Sequence, residues 1–196
     1  MKKHEIGAAD IMPADAYAQV RKERRRAITE LKKNRRVAVG PDATFYFESY
    51  DTMWHQIHEM LHIEKGGAEQ VADELAAYNP LIPKGAELVA TLMFEIDDEA
   101  RRTSFLAGLG GVEETVTLSF DGETVAATPE DDVDRTTAEG KASSIQFLHF
   151  PFSAAQIGKF RRPSTRVVLG IGHSGYDHMA ALPEPVRAAL AGDYGL

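Results

Sequence analysis

The chain has 196 residues, 43% of them hydrophobic and 27% charged, which is the composition of a globular domain. It has no cysteine, which excludes disulfides, thiolate metal sites and a cysteine nucleophile. No apolar run approaches a membrane span and the N-terminus leads into no apolar signal segment, so no membrane partner is expected and a cytoplasmic location is the default.

The net charge of −8 is unevenly spread. Residues 1–36 hold 11 Lys/Arg against 5 Asp/Glu, or +6, and the other 160 hold 11 against 25, or −14. So acidic a remainder would repel phosphate, and no nucleic-acid partner is expected. The basic segment 13–34 reads as a helix opened by Pro13, with Tyr17, Val20, Ala27, Ile28 and Leu31 as its apolar stripe. Arg24 falls inside that stripe, whereas Arg25, Arg26, Lys32 and Lys33 fall largely outside it. Such a helix can pack on its own acidic domain or meet an acidic partner.

Arg36–Val39 and Thr44–Phe47 read as short strands joined through Gly40-Pro41-Asp42-Ala43. The segment 51–65 follows, with three of the seven histidines. At about 100° per residue, Met53, Trp54, Ile57, Met60 and Leu61 share one helix face, and His55, His58, Glu59 and His62 share the other. Trp54, Ile57 and Leu61 are expected to be buried. Asp51 or Thr52 can cap the start, and Gly66-Gly67 ends the helix.

His58-Glu59-Met60-Leu61-His62 spells H-E-x-x-H. In metalloproteases the two histidines of this string bind zinc and its glutamate activates water. The extended motif needs glycine at 65 and histidine at 68, where this chain has Lys65 and Ala68, and Glu69 or Glu74 lies at an unconvincing spacing for a third ligand. The candidate metal ligands are His55, His58, Glu59 and His62, with the distant His149, His173 or His178 to complete a set. Imidazole and carboxylate without thiolate suit iron and zinc equally. Glu59 is the catalytic candidate if the protein is a hydrolase. The competing reading is a polar helix face that meets solvent or another element.

A second helix runs from Ala68 to Tyr78 and a strand from Glu87 to Ile96, after which Asp98 caps a helix ending at Gly108. Val112–Phe120 and Glu123–Ala127 form the clearest hairpin, around Asp121-Gly122. The acidic stretch 129–140 reads as a solvated loop. Ser144–Phe152 and Thr165–Ile171 read as strands around a short helix, Ala154–Phe160, and Pro183 and Pro185 open a last helix through Leu190. Gly170-Ile171-Gly172-His173-Ser174-Gly175 spells G-x-G-x-x-G, but no helix starts there, so no nucleotide is expected. The whole predicts one α+β domain over 1–196, with a largely antiparallel sheet of about seven strands and flanking helices. Homo-oligomerisation is left open. Arg24 and Glu64 sit at apolar angles on their helices and are expected to find buried partners, in the simplest case each other, with Glu48 the rival partner for Arg24.

From Arg24-Arg25-Arg26 through Val37-Ala38-Val39-Gly40-Pro41, Phe47-Glu48 and Thr52-Met53-Trp54 to Gln56-Ile57-His58-Glu59-Met60-Leu61, the chain resembles a bacterial family. It is catalogued as domain of unknown function 3501. The resemblance is strongest over residues 44–64, with an echo from Gly172-His173 through Leu190. The family pattern often has glutamine at position 58 and arginine at 62, so His58 and His62 are departures, while Glu48, Gln56, Glu59 and Glu64 match. Genes of the family sit near rubrerythrin-like proteins and iron–sulfur oxidoreductases, which implies a role in redox or oxidative-stress metabolism. The expectation is a metal-binding protein of that metabolism. The alternatives are a metal-free adaptor docking a rubrerythrin-like or iron–sulfur oxidoreductase, and a zinc hydrolase.

Overall fold

A computed structural model describes residues 3–130 and 141–195. Pro13 precedes α1 (Ala14–Lys33), a fixed-φ residue where the first helical turn needs no donor. β1 (Arg36–Val39) and β2 (Ala43–Phe47) then form an antiparallel pair with Val37 opposite Phe45. The turn between them contains Gly40 at φ +70°, where an added Cβ would lie 2.6 Å from the Tyr176 hydroxyl. That hydroxyl donates to the Val39 carbonyl at 2.8 Å and accepts from the amides of Asp42 and Ala43 at 2.9 and 3.0 Å. One tyrosine thus pins the whole turn.

Ser49 caps α2 (Tyr50–Glu64) in a reciprocal pair with Thr52. The cap therefore lies upstream of the expected Asp51 or Thr52, because the Thr52 hydroxyl is already spent on the Ser49 amide. Lys65 closes the helix in the left-handed region. α3 (Gly67–Tyr78), β3 (Glu87–Phe94) and α4 (Glu99–Ala107, capped by Asp98) follow close to expectation. The hairpin β4 (Val116–Phe120) and β5 (Glu123–Ala126) turns on Asp121 and Gly122, both at positive φ. Its first strand starts later than the pattern suggested, since Val112–Thr115 is a 3₁₀ turn. β6 (Thr128–Pro129), β7 (Ile145–Pro151), α5 (Ala154–Arg161), β8 (Val167–His173), β9 (Tyr176–Ala181) and α6 (Glu184–Ala191) complete the order.

The strands divide into two antiparallel sheets, β1-β2-β3-β7-β6 and β5-β4-β8-β9, rather than one sheet of about seven. The reason lies in the strand faces. Leu88, Ala90 and Leu92 of β3 and Leu148 and Phe150 of β7 point into a core shared with Leu118, Leu169 and Ile171 of the second sheet. Val89 and Phe147 alternate to the outer face and meet Met53, Ile57 and Leu75 of α2 and α3. The fold is therefore α+β, with α2 and α3 covering one face of the five-stranded sheet. The G-x-G-x-x-G string is the β8–β9 hairpin, with Ser174-Gly175 as its turn. Pro129 lies in β6, so the start of the expected acidic loop is strand, and residues 131–140 lie outside the described residues. No helix among the described residues is long and apolar enough to cross a membrane.

Candidate functional site

The apolar side of α2 sits on the sheet, as its pattern predicts, with Met53 and Ile57 buried. Trp54 and Leu61 are only half-buried, because they lie at the edge where α1 joins. The opposite, histidine-bearing side faces α1, with His55 and His62 half-buried.

Tyr17 and Arg21, one turn apart on α1, reach across to Glu59. The Tyr17 hydroxyl donates to Glu59 Oε1 at 2.8 Å, Arg21 Nε donates to the same oxygen at 2.9 Å, and Arg21 Nη2 donates to Oε2 at 2.8 Å. The Arg21 guanidinium, aided by Tyr17 and against some burial, holds the Glu59 carboxyl down to about 2. Burial and then this carboxylate push the Tyr17 hydroxyl up. A carboxylate so stabilised is a poor general base at neutral pH, because it has little appetite for a proton.

His58 is 2% exposed, its ring in tilted contact with Trp54 at 3.8 Å and Tyr17 at 4.9 Å, centroid to centroid. The Met12 amide donates to Nε2 at 3.0 Å, so the proton is on Nδ1, which donates to the Trp54 carbonyl at 2.7 Å. Burial holds its pKa below the ordinary value, consistent with a neutral ring. Both nitrogens are committed, and no lone pair is left for a metal. His55 is half-buried with Nδ1 3.4 Å from the Tyr17 hydroxyl, and burial lowers its pKa too. His62 is half-buried with its ring 6.1 Å from that of Tyr17. His58 and Glu59, two of the expected ligands, bond here to residues upstream, His58 to the Met12 amide just before α1 and Glu59 to Tyr17 and Arg21 of α1. Among the described residues no group of three or more His, Cys, Asp or Glu is placed to hold a metal ion.

The distant histidines are occupied locally. His173 Nδ1 accepts from the Gly175 amide, and His178 lies against the Tyr176 ring. His149 bridges two carboxylates, Glu87 at 3.0 Å from Nδ1 and Glu130 at 2.6 Å from Nε2. The hydrogen bond to Glu87 leads in raising its pKa above 6.5, against burial and with help from Glu130. A raised histidine stabilises fully below 6.5 and loses that contribution as pH climbs through the folded value. Glu87, held low partly by the same contact and by the Lys84 amide, contributes above 4.5. The clasp therefore works between these limits. The Tm difference between wild type and His149→Phe should be larger at pH 6 than at pH 9, and equal differences would deny the charge a role.

Arg24, expected to pair with Glu64, is exposed and lies over the Trp54 ring at 5.2 Å. Glu64 is also exposed and accepts from Gln70 at 2.9 Å. The rival acid, Glu48, is buried and accepts from the hydroxyls of Thr52 and Thr91 at 2.6 and 2.8 Å. The inter-helix ion pair exists, but one turn earlier, at Arg21. Tyr17 and Arg21 are the residues that the sequence reading missed. The i,i+4 spacing of Tyr17 and Arg21 was the available signal.

Two grooves, each about 570 Å³, meet at His62, one along the side of α1 and the other among the segment before α1, α2 and α3. One is basic, lined by Arg21, Lys22, Arg25 and Arg26 with Ala18, and Glu30 stands at its end. Glu30 is tied to Lys33 at 2.8 Å. The other is apolar, lined by Met12, Ala14, Tyr17, Leu61 and Val71, with Lys65 at its rim. His62 lines both. Among the described residues, Lys22, Arg25 and Arg26 make no ion pair.

A family model for proteins of unknown function, DUF3501, matches residues 5–194. A crystal structure of a protein of unknown function from Burkholderia pseudomallei K96243 is 35% identical, with a TM-score of 0.90 over 97% of this chain and 99% of that one. No curated protein matches the chain. Nearly the whole length is thus accounted for by one family and one architecture, and the chain belongs to the DUF3501 family.

Proposed function

We propose that this protein is a docking module whose α1–α2 face binds an acidic protein partner, with the H-E-x-x-H helix serving as scaffold. The observation behind it is the division of labour on α1. Tyr17 and Arg21 are consumed in holding α2, while Lys22, Arg25 and Arg26 line a groove and make no ion pair among the described residues. The chain as a whole carries −8, so this is a basic surface on an acidic molecule. Charge of that kind selects and steers an acidic partner, while the acidic remainder opposes the phosphates of nucleic acid. The family's association with rubrerythrin-like proteins and iron–sulfur oxidoreductases makes such an oxidoreductase the first partner to test.

The test is titration calorimetry of the purified chain against such an oxidoreductase at low and high salt. Binding should weaken with salt, and Lys22→Glu/Arg25→Glu/Arg26→Glu should weaken it about tenfold or more. Undiminished binding by the triple variant would overturn the reading. Metal content, measured on protein kept away from nickel resin, tests the rival. Stoichiometric iron or zinc lost on His55→Ala/His62→Ala substitution would restore the metal-binding function in its place.

A further inference from the structure

The two grooves share His62 and lie on successive turns of α1, apolar before basic, so a ligand laid along α1 would cross both as one channel. From Ala14 to Thr29 it spans 16 residues of helix, or about 22 Å for the rises between them at 1.5 Å each. Its apolar end lies over Met12, Ala14, Leu61 and Val71, and its basic end lies over Lys22, Arg25 and Arg26. The walls are helices, whose backbone groups are satisfied internally, so this face has no strand edge for an extended peptide to join. Ala14 and Ala18 are exposed on the channel side, and side chains that small let another helix backbone come close.

We propose that the channel seats one helix of the partner, of about four turns, with apolar side chains at one end and Asp or Glu at the other. This rests on the docking reading above and narrows it to a helix-in-groove mode. The apolar anchors enter beside Leu61 and Val71. The acidic turns then meet Lys22, Arg25 and Arg26, and the exposed Lys65 is left to meet the helix's far end. The cluster of Lys22, Arg25 and Arg26 along one groove, the apolar lining of the other, and the His62 that both share point to this occupant.

The probe is a fluorescein-labelled 15-residue peptide with leucines at helical spacing in one half and glutamates in the other, its affinity read by anisotropy on the full chain. The expected result is binding about tenfold tighter than for a scrambled peptide of the same composition. Ala14→Trp, which fills the apolar end at an exposed position, should remove that advantage, as should Arg25→Glu/Arg26→Glu. A variant that loses its α1–α2 packing would show it in far-UV circular dichroism and a lowered thermal midpoint, so failure to fold is distinguished from failure to bind. Equal binding of the scrambled peptide would overturn the helix. So would tighter binding to phosphatidylglycerol vesicles than to the peptide, or self-association that excludes it. If the oxidoreductase still binds Ala14→Trp with wild-type affinity while the triple charge reversal fails, the channel proposal falls and the docking reading survives.

Discussion

Arg35→Ala should lose about 3–5 kcal/mol of stability, the loss expected when one partner of a buried ion pair is removed. Arg35 is 6% exposed and lies between the end of α1 and the start of β1. Its Nε donates to the Phe47 carbonyl at 2.9 Å and its Nη2 to the Glu48 carbonyl at 2.8 Å. The same guanidinium forks onto both oxygens of Asp193, itself 6% exposed. One side chain thereby ties α1, the end of β2 and the C-terminal segment. Alanine would strip a donor from two carbonyls in a place that water reaches poorly, and would deprive a buried carboxylate of its cation. Arg35→Lys keeps a charge but cannot fork across three acceptors, so its loss should fall between those of alanine and wild type. Urea unfolding monitored by circular dichroism checks this, and a loss under about 1 kcal/mol for Arg35→Ala would mean that the network is not coupled.

Arg35 also shows where the sequence stops being informative. Its one-dimensional context, a basic residue closing a basic helix, is indistinguishable from that of Arg36, which is exposed. What differs is Asp193, 158 positions away, and no local pattern reports a partner at that separation. The same limit explains the sheets. β-branched, apolar and aromatic content identified β3 and β7 as strands, but such content does not say which strands pair, so two sheets were read as one. β9 was missed because Tyr-Asp-His-Met-Ala-Ala is exposed along most of its length and poor in β-branched residues.

At the candidate site the angular reading of α2 holds for Met53 and Ile57, while the histidine side offers no group of three or more metal-binding side chains among the described residues. A helical wheel gave Met53 and Ile57 to the core and grouped His55, His58, Glu59 and His62 correctly. It carries no information on the axial position of a neighbouring helix, which is why Arg24 was chosen over Arg21. Arg24 occupies its apolar angle by lying on the Trp54 ring, an interaction that needs no acid. The H-E-x-x-H string was legible as a set of donors and acceptors. Their partners, the Met12 amide, Tyr17 and Arg21, come from a segment more than 35 residues upstream.

That history makes His58 the most informative residue to change. If it serves α1 packing, its value lies in a flat ring, one acceptor for the Met12 amide and one donor for the Trp54 carbonyl. His58→Ala removes all three, leaving a cavity beneath Trp54 and a part-buried amide without its acceptor, and should cost about 3 kcal/mol. Glutamine retains an acceptor and a donor at the end of a side chain of similar reach. His58→Gln should therefore lose only about 1 kcal/mol, chiefly from the missing ring contact. Trp54, the single tryptophan of the chain, lies against the ring and reports the local packing directly. Urea titrations read by its fluorescence should place the glutamine protein near wild type and the alanine protein well below it. A metal-ligating histidine would behave otherwise, since an amide is a far weaker ligand than imidazole for zinc or iron, and both variants would then fail together. Equal destabilisation by alanine and glutamine would thus count against the packing role, whereas a gap of about 2 kcal/mol between them assigns the H-E-x-x-H helix to the α1–α2 junction.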